Sequence, residues 1–193
     1  MDAILKSIFI DHLEQHLRVF EGLRSCVSND LVKLSKMTAS SLREGNKIII
    51  AGNGGSAADA QHIAAEFLVK LQDRRKALSA IAITTDTSVL TATANDFDFD
   101  YIFARQIEGI GKQGDIFLGL TTSGKSKNIE RALKSAKELG MTNVVFTGDS
   151  TCCFKYIDYQ LNVPSKNVAR IQEAHIFLGH LLVLYIERQL NLC

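Results

Sequence analysis

Ile48–Phe67 reads IIIAGNGGSAADAQHIAAEF. Three consecutive isoleucines make a short apolar run of the kind that is buried on both faces of a parallel sheet. Gly52, Gly54 and Gly55 follow at once, letting the backbone turn and its N–H groups approach an anionic or polyhydroxyl ligand. From Ser56 the pattern is helical, and His62 and Glu66, four apart, share one helical face. A turn able to hold a polar ligand thus adjoins an imidazole–carboxylate pair able to move a proton or hold a metal.

The same texture recurs downstream. Apolar runs at 47–51, 80–84, 115–120, 143–147 and 159–163 alternate with helical patterns at 56–70, 86–95, 103–110, 126–140 and 168–190. This alternation predicts an α/β fold of the doubly wound, Rossmann-like type: a five-stranded parallel sheet flanked by helices. Residues 3–44 differ, with Ile4, Ile8, Leu13, Leu17 and Phe20, then Leu31, Leu34 and Leu42, at helical spacing. They predict two N-terminal helices broken near Ser28-Asn29-Asp30, where Ser28 or Asn29 can cap the second. In such sheets ligands bind at the carboxyl ends of the strands. The loops there are NGGS (53–56), TTDTS (84–88), TTSGKS (121–126) and TGDS (147–150), all rich in hydroxyl, amide and glycine.

Composition narrows the classes. A chain of 193 residues with 46% hydrophobic content suits one globular domain over 1–193, and a net charge of +1 gives no electrostatic footprint for nucleic acid. The apolar run Ile176–Ile186 is interrupted by Gly179 and His180 and is too short to span a bilayer, so no membrane partner is expected. The N-terminus alternates charged and apolar residues rather than resembling a signal peptide. Cys26, Cys152, Cys153 and Cys193 have no CxxC spacing, which points to a reducing, cytoplasmic setting.

Two short patterns compete with this reading. Gly52-x-Gly54-x-x-Ala57 satisfies the dinucleotide pattern, with Asp86 as a candidate ribose ligand, but Asp86 lies beyond the usual spacing. The helix after the turn is also crowded with Asp59, Gln61, His62 and Glu66. Gly119–Ser126, GLTTSGKS, matches the nucleotide-binding P-loop pattern, yet Gly119 lies inside an apolar run instead of opening a loop. Thr121, Thr122, Ser123 and Ser126 place four hydroxyls within six positions where a helix cap needs one. They read as a phosphate seat made of neutral dipoles.

The last helix supplies the rest. His175 reads as a satisfied core histidine, whereas His180 interrupts the strongest apolar run and needs a carboxylate or metal for company. Gln172 and His180 are separated by roughly 12 Å along a helix axis. One metal reaches both with difficulty, so the site is expected at an oligomer interface with ligands from more than one chain.

Four blocks in order, AGNGGSAADAQHIAAEF (51–67), ITTDTSVLTATANDFDFDYIFARQIE (83–108), GDIFLGLTTSGKSKNIERALKSAKELGM (114–141) and VPSKNVARIQEAHIFLGH (163–180), resemble the phosphoheptose isomerase family of the sugar isomerase (SIS) fold. The resemblance implies conversion of sedoheptulose 7-phosphate into D-glycero-D-manno-heptose 7-phosphate. This is the first step towards nucleotide-activated heptoses for lipopolysaccharide, capsule or S-layer glycans. It implies Glu66 as catalytic base and His180 as acid. The sugar phosphate would meet Asn53, Gly54, Gly55, Glu66, Asn95, Asp96, Thr121, Thr122, Ser123, Ser126 and Gln172. One zinc ion per subunit would be held by His62, Glu66, Gln172 and His180, in a homotetramer packed through residues 1–45. The chain departs from the usual family pattern in Thr121, where serine is frequent, in Lys70, where arginine is common, and in Val168 and Ala169, which replace frequently polar residues. Replication-initiator-associating proteins share the fold without catalysis, but they lack equivalents of Glu66 and of the terminal histidine. Isomerases of other sugar phosphates are the alternative within enzymes. A SIS-type transcriptional regulator is not expected, since no basic helix-turn-helix segment precedes residue 47.

Overall fold

The computed structural model describes residues 1–26, 28–149, 152 and 154–192, with the side chains of 25, 26 and 28 left out. Cys153, Cys193, Ser150 of the TGDS loop, the thiol of Cys26 and the capping hydroxyl of Ser28 lie outside the described residues. In chain order the elements are α1 (Asp2–Cys26), α2 (Ser28–Arg43), β1 (Ile48–Gly52), α3 (Gly55–Leu68), β2 (Ala80–Ala82) and α4 (Thr87–Asp96). A 3₁₀ turn (Phe99–Tyr101) precedes α5 (Ala104–Ile110), β3 (Ile116–Thr121), α6 (Lys127–Glu138), β4 (Thr142–Thr147), β5 (Tyr159–Asn162) and α7 (Val168–Gln189).

The five strands form one sheet in the order β2-β1-β3-β4-β5, every pair parallel. Strand period 2 divides the core into two layers. Ile48 and Ile50 of β1, Ile116, Leu118 and Leu120 of β3, and Val144 and Phe146 of β4 face α2, α3 and α7. Ile49, Ala51, Phe117 and Val145 face α5 and α6. The chain leaves β1 for β2 on one side and then returns to β3 on the other. The crevice at the carboxyl ends of β1 and β3 is therefore the switch point where such sheets bind ligands, and the 53–56 and 121–126 loops meet there.

Boundaries shift where local chemistry intervenes. The strand expected over 80–84 stops at Ala82, although the Ile83 N–H still donates to the Ile50 carbonyl (3.0 Å). The helix expected to reach 140 ends at Glu138, because the chain turns through Gly140 at φ +73°. The helix expected to reach 70 ends at Leu68, where Arg75 takes its last carbonyls. At the N-terminus, residues 1–10 of α1 are all exposed, whereas its later half packs on α7 through the His16–Glu173 pair (2.8 Å) and Phe20 against Phe177.

Candidate active site

The turn after β1 is built on close approach. A Cβ at Gly52 would lie 2.4 Å from the Ser56 carbonyl oxygen, so only glycine lets α3 begin this near the strand. Gly54, at φ +56°, occupies the cap position of α3. Gln172 of α7 covers the turn: a Cβ at Gly55 would stand 2.4 Å from its Nε2. The amides of Asn53 and Asn128 exchange two hydrogen bonds, of 2.9 and 2.8 Å, and so join this turn to the first turn of α6.

The second loop is shaped by its own hydroxyls. Thr121 Oγ1 lies 3.1 Å from Ser126 Oγ and accepts from the Gly124 N–H (3.2 Å), while Ser123 Oγ accepts from the Lys125 N–H (3.2 Å). Ser126 stands at the cap position of α6 without a side-chain cap bond, and Thr122 is half-buried beside it. Gly119 belongs to the middle of β3, paired with Ala51 and Val145, and backs onto Ile129 at 2.9 Å from where a Cβ would sit. The first glycine of the P-loop pattern thus has a packing reason of its own. Asp86 caps α4 by accepting from the Val89 N–H (3.0 Å), which gives the dinucleotide pattern's acidic residue a structural task.

Further along α3 the ionisable groups gather. His62 Nε2 lies 3.1 Å from Glu66 Oε1 and 3.2 Å from His180 Nε2, with the two rings tilted 59° at 5.1 Å. One donor atom from each of His62, Glu66 and His180 falls within 4.8 Å of the others. α3 and α7 run side by side in the same direction, since Gln172 is level with Gly55 and Gly179 with Ile63. A Cβ at Gly179 would come within 2.6 Å of Ile63, so this glycine permits the approach that carries His180 to His62. His180 therefore finds a second imidazole as well as a carboxylate nearby.

One chain brings together three of the four expected metal ligands without help from a second copy. Gln172 rests instead on Gly55, seven residues and roughly 10 Å up α3 from His62. Two facing imidazole nitrogens cannot both donate, and a carboxylate stands beside them. This arrangement of two nitrogens and one oxygen fits a divalent cation such as zinc. Asn95 and Asp96 are exposed at the end of α4 and hydrogen-bond to each other (2.7 Å).

Two features of the surroundings escaped sequence reasoning. Asp59, one turn before His62, has an oxygen buried without a partner; burial lifts its carboxyl to about 6, against the opposing pull of His62. Arg75 closes the carboxyl end of α3. Its guanidinium donates to the carbonyls of Glu66 and Phe67 (2.7 Å each) and to Glu187 of α7 (2.7 Å), with both side chains of the ion pair buried. His175 corrects another expectation. It is fully buried, 6.0 Å from Phe146, and its ring makes no hydrogen bond of good geometry among the described residues, the Thr147 backbone being its polar neighbour. Burial holds this imidazole down at about 4, and the neighbouring Thr147 backbone offsets the effect only in part. Lys70 is exposed and donates to the Gln72 carbonyl (3.1 Å).

Comparison with known proteins bears on the whole chain. The SIS domain family matches residues 11–148. The phosphoheptose isomerase of Clostridium acetobutylicum is 51% identical over 147 residues, covering 76% of this chain and 75% of that protein. That of Aquifex aeolicus is 45% identical over 184 residues, covering 95% and 94%. Among solved structures, the phosphoheptose isomerase of Neisseria gonorrhoeae superposes with a TM-score of 0.88 at 37% identity, covering 95% of this chain and 99% of that one. With whole-length identity of this order and the same architecture, the chain belongs to the phosphoheptose isomerase family of the SIS fold.

Proposed function

We propose that this isomerase interconverts sedoheptulose 7-phosphate and D-glycero-D-manno-heptose 7-phosphate by moving a proton between adjacent carbons through an enediol. The observation that carries the mechanism is the meeting of Glu66, His62 and His180 within 4.8 Å beside a polar crevice. Glu66 removes the proton from carbon, and the imidazole of His180 delivers and withdraws the proton on oxygen; each role is worth about 10²–10⁴-fold. Thr121, Thr122, Ser123 and Ser126, with the backbone N–H groups opening α6, receive the phosphate through neutral donors. Asn53, Gly54 and Gly55 face the sugar on one side and Gln172 on the other, while Asn95 and Asp96 supply further polar contacts.

His62, Glu66 and His180 would hold zinc, with the Gln172 amide as a fourth ligand contributed across a subunit interface, since within one chain it rests on Gly55. The chemistry zinc supplies when bound is polarisation of a carbonyl oxygen. We assign the protein to the cytoplasm as a homotetramer. Among the described residues no helix is long and apolar enough to cross a membrane.

The decisive experiment is incubation of the purified protein with sedoheptulose 7-phosphate in D₂O, followed by NMR. Aldose formation with deuterium at C2 is expected. Absence of both would defeat the assignment.

A further inference from the structure

On the α5–α6 side of the sheet lies a cleft of about 400 Å³ between α6, the 3₁₀ turn and residues 155–156. Lys127, Arg131 and Lys134 line one wall, and Lys155 faces them from the other. Two carboxylates, Asp100 and Glu130, share the cleft and leave a local excess of two positive charges on a chain whose net charge is only +1. Lys127 and Lys134 are seven apart on α6, roughly 10 Å along its axis, a spread wider than one phosphate group.

The cleft is held in shape from three sides. Arg131 stacks on the Tyr101 ring at 4.3 Å, donates to its hydroxyl (3.0 Å) and lies 4.0 Å from Asp100. Opposite, Tyr156 is 44% exposed and adopts φ +70°, a conformation unfavourable for an aromatic residue. Apart from Asn191, a residue type that tolerates this region, no other described non-glycine residue does so. The fully buried Asn143 anchors this residue: its Nδ2 donates to the Tyr156 carbonyl (2.8 Å) and to the Leu133 carbonyl of α6 (2.7 Å), tying the two walls together. A strained backbone retained by a buried clamp marks a side chain held out for a purpose. Here it presents a ring beside a row of cations.

We propose that this cleft binds a nucleotide, with its phosphates on Lys127, Lys134 and Lys155, its base on the ring of Tyr156, and its ribose hydroxyls on Asp100 and Glu130. The carboxylates accept hydroxyl donors that a bare polyanion lacks, while the exposed ring adds stacking that any base can use. The cleft meets the proposed sugar-phosphate seat only at the start of α6, where Lys127 follows Ser126, and its remaining lining residues lie outside that seat.

Titration calorimetry of the full-length protein with ADP tests this, with pyrophosphate as the comparator and sedoheptulose 7-phosphate present at saturation in a parallel arm. Saturable ADP binding that survives the sugar phosphate is expected. Tyr156→Gly, which suits the positive φ, should weaken ADP by at least about fivefold while leaving pyrophosphate unchanged. The pair Lys134→Ala and Lys155→Ala should weaken both ligands by at least about tenfold with isomerase turnover intact. No ADP binding at millimolar concentration, displacement of ADP by the sugar phosphate, or an ADP affinity indifferent to Tyr156→Gly would each overturn the proposal.

Discussion

Glu66 and His180 sit on different helices, and each has a proposed task that a single substitution removes. Glu66→Gln and His180→Ala are each expected to lower kcat by at least about two orders of magnitude. Circular dichroism should remain native, since both side chains keep some solvent access; near-normal rates in either variant would cancel its role. Arg75 acts through position alone. Arg75→Ala strands Glu187 in the core and uncaps α3, so a loss of about 3–5 kcal/mol in urea unfolding is expected. Lysine is a poor replacement, because one guanidinium serves four separate acceptors. At this scale the sequence reveals what is local. The four-residue spacing of His62 and Glu66 is readable by eye, and His180 betrays itself by interrupting an apolar run. The Arg75–Glu187 and Asn53–Asn128 pairs are not readable, since 112 and 75 residues separate the partners and neither residue type demands a mate in advance. The same applies to His175, whose place in the core is legible and whose weak pairing with the Thr147 backbone is not.

Elements are governed by how closely two of them approach. Gly179 is the contact point of α3 and α7, whereas a Cβ at Gly109 in α5 would meet nothing within 4 Å. Gly179→Ala should therefore cost about 1–3 kcal/mol by overpacking against Ile63 and, by spreading His62 from His180, reduce turnover as well. Gly109→Ala should be neutral or stabilising by up to about 1 kcal/mol, as expected for alanine in a helix. Thermal unfolding of the two variants side by side separates packing from propensity. The strands were plain in the sequence because a sheet covered on both faces needs unbroken apolar runs. Their ends were less so: β2 stops early and α3 ends where an arginine from the next loop reaches back, and neither event has a local signature.

For the whole molecule, pH acts through the groups that folding buries. His175 has a folded value of about 4 against 6.5 when free, so between these limits the unfolded chain holds a proton that the native one refuses. Stability contributed here is complete above pH 6.5 and is lost as pH falls towards 4, to a limit on the order of 3 kcal/mol. Asp59 has the opposite sign, since its raised value makes ionisation costly as pH climbs from 3.8 to about 6. Urea midpoints across this range should show a shallower acid decline in His175→Leu than in the parent protein. The first half of α1 poses a different question, because Ile4, Leu5, Ile8 and Phe9 are all at least 50% exposed. Burial of these residues between copies is what the proposed tetramer offers. Ile4→Glu combined with Phe9→Glu should lower the mass measured by light scattering, and an unchanged mass would remove α1 from the assembly.

The parallel alignment of α3 and α7 also sets a timetable. The imidazole at 180, the guanidinium clamp through Glu187 and one side of the sheet's core (Ile171, Leu178, Leu182, Ile186) all depend on the final helix, so a ribosome can synthesise every strand and still carry a half-covered sheet. On the proposed roles, chemistry waits until α7 has emerged and docked, and a nascent chain released short of it would lack both the proposed acid and the helix that covers one face of the sheet.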